Sequence, residues 1–141
     1  MPFERSCGVI LFNKEKNFLL LKYGWGHWGF IKGNIEKGEK EKETILREAE
    51  EEAGINKESI HFLSGFREKI NYFYKKEGKT IYKEVIYLLA ETTAEEIKLS
   101  YEHTDYAWLP YEEAVKKITH ENDRNVLKKA KEFLEKSSLV G

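Results

Sequence analysis

Apolar positions along the chain fall into short runs separated by charged clusters, and the spacing within each run predicts its element. Cys7 to Phe12 and Phe18 to Tyr23 are apolar stretches with Lys14-Glu15-Lys16 between them, which predicts two strands joined as a β-hairpin. Gly24-Trp25-Gly26-His27-Trp28-Gly29 carries too much glycine for regular structure and predicts an exposed loop. From Glu39 to Ala53 the chain runs in helix formers without glycine or proline, and Gly54 stands where a helix cap belongs. Ile60 to Tyr74 and Thr80 to Thr92 read as two long strands, with Lys75-Lys76-Glu77-Gly78-Lys79 as their turn. Tyr106 to Leu109 predicts a short strand that Pro110 stops. Tyr111 to Lys117 and Asn122 to Lys136 predict closing helices, the second with Val126, Leu127, Ala130, Phe133 and Leu134 along one stripe. The sum is a mixed sheet with helices packed on it, one α+β domain over residues 1–141.

Composition narrows the class. A chain of 141 residues has the length of one domain and can bury roughly 68–70% of its unfolded surface. Lysine plus arginine number 24 against 25 acidic residues, a net charge of −1, so nothing in the charge balance predicts bulk binding to nucleic acid or membrane. The longest apolar run, Val85 to Ala90, is far short of the ~20 residues that span a bilayer, and the first residues lack a signal pattern. The single cysteine, Cys7, forms no internal disulfide and no thiolate zinc cluster. Together these predict a soluble protein of the cytoplasm. The charge is carried unevenly: arginine supplies four of the 24 basic residues, aspartate two of the 25 acidic ones, and glutamine is absent. Such a lysine and glutamate bias marks either growth at high temperature or a lysine-rich genome.

The densest charge lies between Glu36 and Glu52, where eight glutamates face four basic residues. A solvated helix face is the plain reading of such a run, but the positions argue for more. Glu48, Glu51 and Glu52 sit three and four residues apart and project from one side of one helix, where like charges repel. A cation between them removes that cost, and hard oxygen ligands of this kind suit Mg²⁺ or Mn²⁺. Arg47 can pair with Glu51 at i,i+4, and Ile45, Ala49 and Ala53 form the line that docks the helix. Lys32-Gly33-Asn34, just upstream, can aim a lysine and a backbone carbonyl at the same place.

Gly33, five residues, Glu39, seven residues, then Arg47-Glu48-Ala49-Glu50-Glu51-Glu52-Ala53-Gly54-Ile55 resembles the Nudix hydrolase box at its fixed positions, with Ala49 smaller than the usual aliphatic residue. The resemblance implies an α/β/α sandwich, a mixed sheet with helices on both faces, and attack of water on a nucleoside diphosphate linked to a further group. The remainder, from about Arg5 to Ala114, is similar to the asymmetric diadenosine tetraphosphate hydrolase branch of that family. Ser6-Cys7-Gly8-Val9-Ile10, His27-Trp28, Lys32-Gly33, Gly65-Phe66-Arg67, Asn71-Tyr72, Lys83, Val85-Ile86-Tyr87 and Leu99-Ser100-Tyr101-Glu102-His103 carry this similarity. The chain departs from that branch at Ile31, where proline is usual, and at Asn34, where histidine is common.

What the resemblance implies is Mg²⁺-dependent hydrolysis of diadenosine tetraphosphate to ATP and AMP, with Mn²⁺ an alternative cation. Its metal ligands would be Glu48, Glu51 and Glu52, the Gly33 carbonyl, and Glu102 from outside the box, with Glu84 competing for that last place. Glu48 or Glu52 would accept the proton of the attacking water. Lys32 and Lys83 resemble phosphate-binding lysines, His27 would hydrogen-bond the phosphate chain, Tyr72 would stack on adenine, and Tyr87 would give its hydroxyl to phosphate. Two other readings share the motif: another Nudix pyrophosphatase acting on damaged nucleoside triphosphates, capped RNA ends or inositol polyphosphates, and a binding module that has lost catalysis. The intact set of Glu48, Glu51 and Glu52 argues against the last.

Overall fold

The computed structural model describes residues 2–140, without the side chains of the last three of these. Its frame is a mixed sheet in which β1 (Phe3–Phe12) runs parallel to β7 (Lys79–Thr92) along its whole length, from Phe3 opposite Tyr82 to Phe12 opposite Glu91. The other edge of β1 pairs antiparallel with β4 (Ile31–Asn34), Cys7 lying opposite Gly33. Beyond these, β2 (Phe18–Tyr23) pairs with β3 (Trp28–Gly29) and with β8 (His103–Leu109). On the far side β5 (Ile60–Phe62) and β6 (Glu68–Lys76) both run antiparallel to β7. Three helices complete the described residues: α1 (Glu41–Ala53), α2 (Tyr111–Lys117) and α3 (Glu121–Val140).

Strand alternation sorts the core into two layers. Cys7, Val9, Leu11, Ile86, Leu88 and Ala90 turn to the side where Ile45, Ala49 and Ala53 of α1 dock. Ile10, Phe12, Val85, Tyr87 and Leu89 turn to the other side, under Ala114 of α2 and Val126, Leu127 and Ala130 of α3. Apolar residues at both parities mark strands covered on both faces, and the fold is the expected α/β/α sandwich.

Four expectations change in detail. The first two strands meet only at Phe12 opposite Phe18, because β4 already occupies the edge of β1 over Ser6–Val9 and β2 takes β8 instead. The predicted long strand from Ile60 breaks over residues 63–67, where Gly65 (φ 97°) turns the chain and Phe66 drops into the core against Phe133. Two residues of the expected loop, Trp28 and Gly29, pair as β3. The first helix begins at Glu41, two residues late, because Glu43 folds back to accept the Lys40 backbone N–H at 2.8 Å. It ends as expected, with Gly54 in the left-handed conformation.

Candidate active site

Four segments meet at one cleft. The outer turn of α1 supplies Glu48, Glu51 and Glu52; β4 supplies Lys32, Gly33 and Asn34; β7 supplies Lys83; and the segment before β8 supplies Ser100, Tyr101 and Glu102. Together with Tyr23 they line a cavity of about 530 Å³. Gly33 leaves room for the Glu48 side chain: a Cβ there would run into the Glu48 carboxyl group, so only glycine lets that carboxylate lie against β4.

Arg47 organises the acidic face more broadly than its pairing with Glu51 at 3.3 Å. Its guanidinium forks onto Glu39 at 2.7 and 3.0 Å, takes Glu48 at 2.7 Å, and donates to the Asn34 carbonyl at 3.0 Å. Those hydrogen bonds hold Glu39 down at about 2, while Glu39 folds back to accept the Glu36 N–H. The fixed arginine and first glutamate of the motif therefore tie the loop after β4 to the helix.

Glu52 is the anomaly of the cleft. It is only 4% exposed, and neither carboxylate oxygen makes a hydrogen bond of normal geometry. Burial, reinforced by the nearby Glu48 charge, pushes its carboxyl up to about 9, against the easing influence of the Lys32 backbone N–H. Glu48 is raised too, chiefly by burial, with Arg47 opposing. Holding charged oxygens in this state is costly unless a cation completes them.

As the side chains stand, no three Asp, Glu, His or Cys groups among the described residues are gathered to hold a metal ion, because Arg47 draws Glu48 and Glu51 to itself. The donor set nevertheless fits a hard divalent cation. It consists of oxygens alone, Glu52 carries two that lack partners, and the exposed Glu51 is held only by its 3.3 Å contact with Arg47.

A second cavity, of about 840 Å³, adjoins the first through Lys32 and Lys83, which line both. Its walls include Tyr72 and Tyr74 of β6, Trp25 and His27 from the loop before β3, and His120 and Asp123 at the start of α3. Lys32 Nζ stands 5.7 Å from the Tyr72 ring centre. Lys83 lies 3.4 Å from Asn34 Oδ1, and burial with the neighbouring Lys32 charge lowers its pKa. His27 stacks on Tyr23 at 4.6 Å, its pKa lowered by burial and by His120.

The family model described as the NUDIX domain matches residues 2–130. The chain belongs to the Nudix hydrolase family. An asymmetrical bis(5'-nucleosyl)-tetraphosphatase of Rattus norvegicus is 39% identical, over 92% of this chain and 95% of the relative. An RNA pyrophosphohydrolase of a Nitratiruptor species is 36% identical over 77% of this chain and 74% of its own length. Among solved structures, a Caenorhabditis elegans Ap4A hydrolase in a binary complex superposes with a TM-score of 0.82 at 32% identity, covering 94% of this chain and 98% of that one. This chain is a Nudix pyrophosphohydrolase, of a family whose members generally use divalent metals.

Of the expected site residues in this Nudix hydrolase, Lys32, Gly33, Glu48, Glu51, Glu52, Lys83 and Glu102 share the carboxylate cavity, and His27 and Tyr72 share the aromatic one with the two lysines. Tyr87 belongs to neither. It is fully buried and its hydroxyl donates to Asp123 Oδ1 at 2.9 Å, so the expectation that it serves phosphate is corrected. Glu84 is held by Arg5 and Lys69, both at 3.4 Å, and does not line the cleft. Tyr23 and Asp123 carry no signal in the sequence, since each reaches the cleft only through pairings distant in sequence.

Proposed function

We propose that this Nudix hydrolase cleaves diadenosine tetraphosphate to ATP and AMP with Mg²⁺ as its cation. The observation that carries the reading is the pair of cavities joined at Lys32 and Lys83, one lined by carboxylates and the other by aromatic rings. A linear polyphosphate ending in a base has this sequence of needs: charge neutralisation along the chain, then a flat apolar surface at its end. The rat and worm relatives, which carry tetraphosphatase names, support the same substrate.

In this reading Glu48, Glu51, Glu52 and Glu102, with the Gly33 carbonyl, hold the divalent cation, which when bound neutralises phosphate charge and acidifies water. Glu48 or Glu52 accepts the proton of the attacking water. Lys32 and Lys83 hold phosphate oxygens as point charges at the junction of the cavities. His27 reaches the phosphate chain from the loop, and Tyr72 offers its face to one adenine.

A substrate panel tests the proposal: diadenosine tetraphosphate, nucleoside triphosphates, 5'-triphosphate RNA and inorganic polyphosphate, each with Mg²⁺, products separated by ion exchange. Tyr72→Ala removes a stacking face of ~1–3 kcal/mol, roughly 5- to 150-fold in KM for the dinucleotide, and leaves inorganic polyphosphate unaffected. Lys83→Ala weakens both. Equal losses on both substrates from Tyr72→Ala, or a preference for RNA ends, would replace this substrate by another of the family.

A further inference from the structure

Among the described residues, three buried side-chain atoms lack a hydrogen-bond partner: Glu52 Oε1, Glu52 Oε2 and His103 Nε2. They face one another. His103 Nε2 lies 3.9 Å from Glu52 Oε1, and His103 is 5% exposed at the start of β8. Orphan polar atoms are costly singly, and an imidazole edge opposed to a carboxylate is the arrangement in which each can relieve the other.

The rest of the imidazole is tied down. Tyr23 packs on the ring with centroids 4.6 Å apart, and the Tyr23 hydroxyl is itself anchored to the Phe30 carbonyl. Ser100 Oγ lies 3.1 Å from His103 Nδ1 and also accepts the Glu102 backbone N–H at 3.4 Å. The serine hydroxyl can donate its hydrogen to Nδ1, and the tautomer in which it does so is the one that also gives the unpartnered Glu52 oxygen a donor, since the alternative sets a bare Nε2 lone pair against the carboxylate. His103 is buried, and its Nε2 has no partner other than the Glu52 carboxylate it faces. With Nδ1 accepting, the ring N–H sits on Nε2, directed at Glu52. The backbone holds the same register, because Ser100 N donates to the Glu52 carbonyl at 3.1 Å.

We infer that Ser100, His103 and Glu52 form a relay in which His103 is a positioning residue, its Nε2–H fixing one Glu52 oxygen so that the other is presented to the cation. Closing 3.9 Å to hydrogen-bond distance needs a shift of roughly 1 Å, within reach of a carboxylate rotation. The relay rests on the cation-binding role proposed for Glu52 but not on the choice of nucleotide. Neither His103 nor Ser100 touches substrate in it. Outer partners of this kind change metal affinity by ~10- to 100-fold when removed.

The test measures Mn²⁺ binding to the full chain without any nucleotide, by titrating the free-ion electron paramagnetic resonance signal. His103→Leu removes the donor, His103→Gln can return an N–H to the same place, and Ser100→Ala frees the tautomer. We expect a loss of at least ~10-fold in Mn²⁺ affinity for His103→Leu, recovery to within about 3-fold of wild type for His103→Gln, and an intermediate loss for Ser100→Ala. Nitrogen chemical shifts of the imidazole should report the proton on Nε2. Circular dichroism identifies a leucine variant that fails to fold, and the glutamine and alanine variants then decide. Unchanged Mn²⁺ affinity in a folded His103→Leu, a proton on Nδ1, or a wild type that binds no Mn²⁺ would each overturn the relay. A chain that shows the histidine dependence yet leaves diadenosine tetraphosphate uncut keeps the relay and loses only the substrate assignment.

Discussion

Glu52→Gln should make the metal-free protein more stable while removing its activity. The replacement keeps the size and planarity of the side chain and deletes its charge. In the folded chain burial lifts the Glu52 carboxyl from the ordinary 4.5 to about 9. A raised carboxyl is neutral in both states below pH 4.5 and costs nothing there. Above it, the unfolded chain ionises while the folded one keeps its proton, so stability falls by ~1.4 kcal/mol per pH unit until the folded group ionises near 9. By pH 7 the accumulated cost is about 3 kcal/mol, and at 4% exposure there is little solvent to screen it. Glutamine escapes this cost. For a domain of this length the gain is roughly 10 °C in Tm at pH 7, shrinking to a degree or two at pH 5.

Thermal unfolding of both proteins in chelator, from pH 5 to 8, measures the difference directly. Added Mg²⁺ should then reverse the order, since a ligand at ~100 times its Kd stabilises by about 2.7 kcal/mol and the variant has lost a ligand oxygen's charge. Turnover in the variant should fall at least ~100-fold, as when one strong electrostatic contact is lost. A stability difference that does not change between pH 5 and 8 would refute the burial argument. Near-wild-type turnover would refute the assigned role.

Other expected outcomes test separate parts of the molecule. Gly33→Ala places a Cβ 2.1 Å from the Glu48 carboxyl carbon, so Glu48 must swing away; turnover should drop by at least ~10-fold while the far-ultraviolet circular dichroism stays that of wild type. Cys7 is fully buried and its thiol is pushed up to about 11 by burial, so thiol reagents at pH 8 should label it only after denaturant unfolds the chain. A hot habitat behind the lysine and glutamate bias would give a Tm above the ~45–65 °C of mesophile domains, whereas a midpoint near 50 °C favours genome composition.

The half of the cleft built by α1 could be read from the chain because its geometry is local. Helical spacing alone puts Glu48, Glu51 and Glu52 on one side and Ile45, Ala49 and Ala53 on another, and the structure keeps both sets. What helical spacing could not give was the reach of Arg47. Glu39 and the Asn34 carbonyl come to it only after the chain turns out of β4, and these contacts outnumber the i,i+4 pair with Glu51.

The opposite half is written across strands, and there the same residue types have different fates. Lys83 and Tyr87 lie four apart on β7 and so point to one face. Lys83 sits near the beginning of that strand and opens into the cleft, whereas Tyr87 lies deeper, where Asp123 of α3 takes its hydroxyl. Glu84, between Lys83 and Val85, turns to the other face and is neutralised by Arg5 and Lys69. Periodicity can assign a face to each of these residues. How far along the strand a helix covers that face is set by where α3 docks, through Val126, Leu127 and Ala130, and no neighbour in sequence carries that information. The same rule explains His103: the segment Leu99-Ser100-Tyr101-Glu102-His103 resembles the family, yet its histidine gains meaning only when β8 pairs with β2 and brings His103 opposite Tyr23.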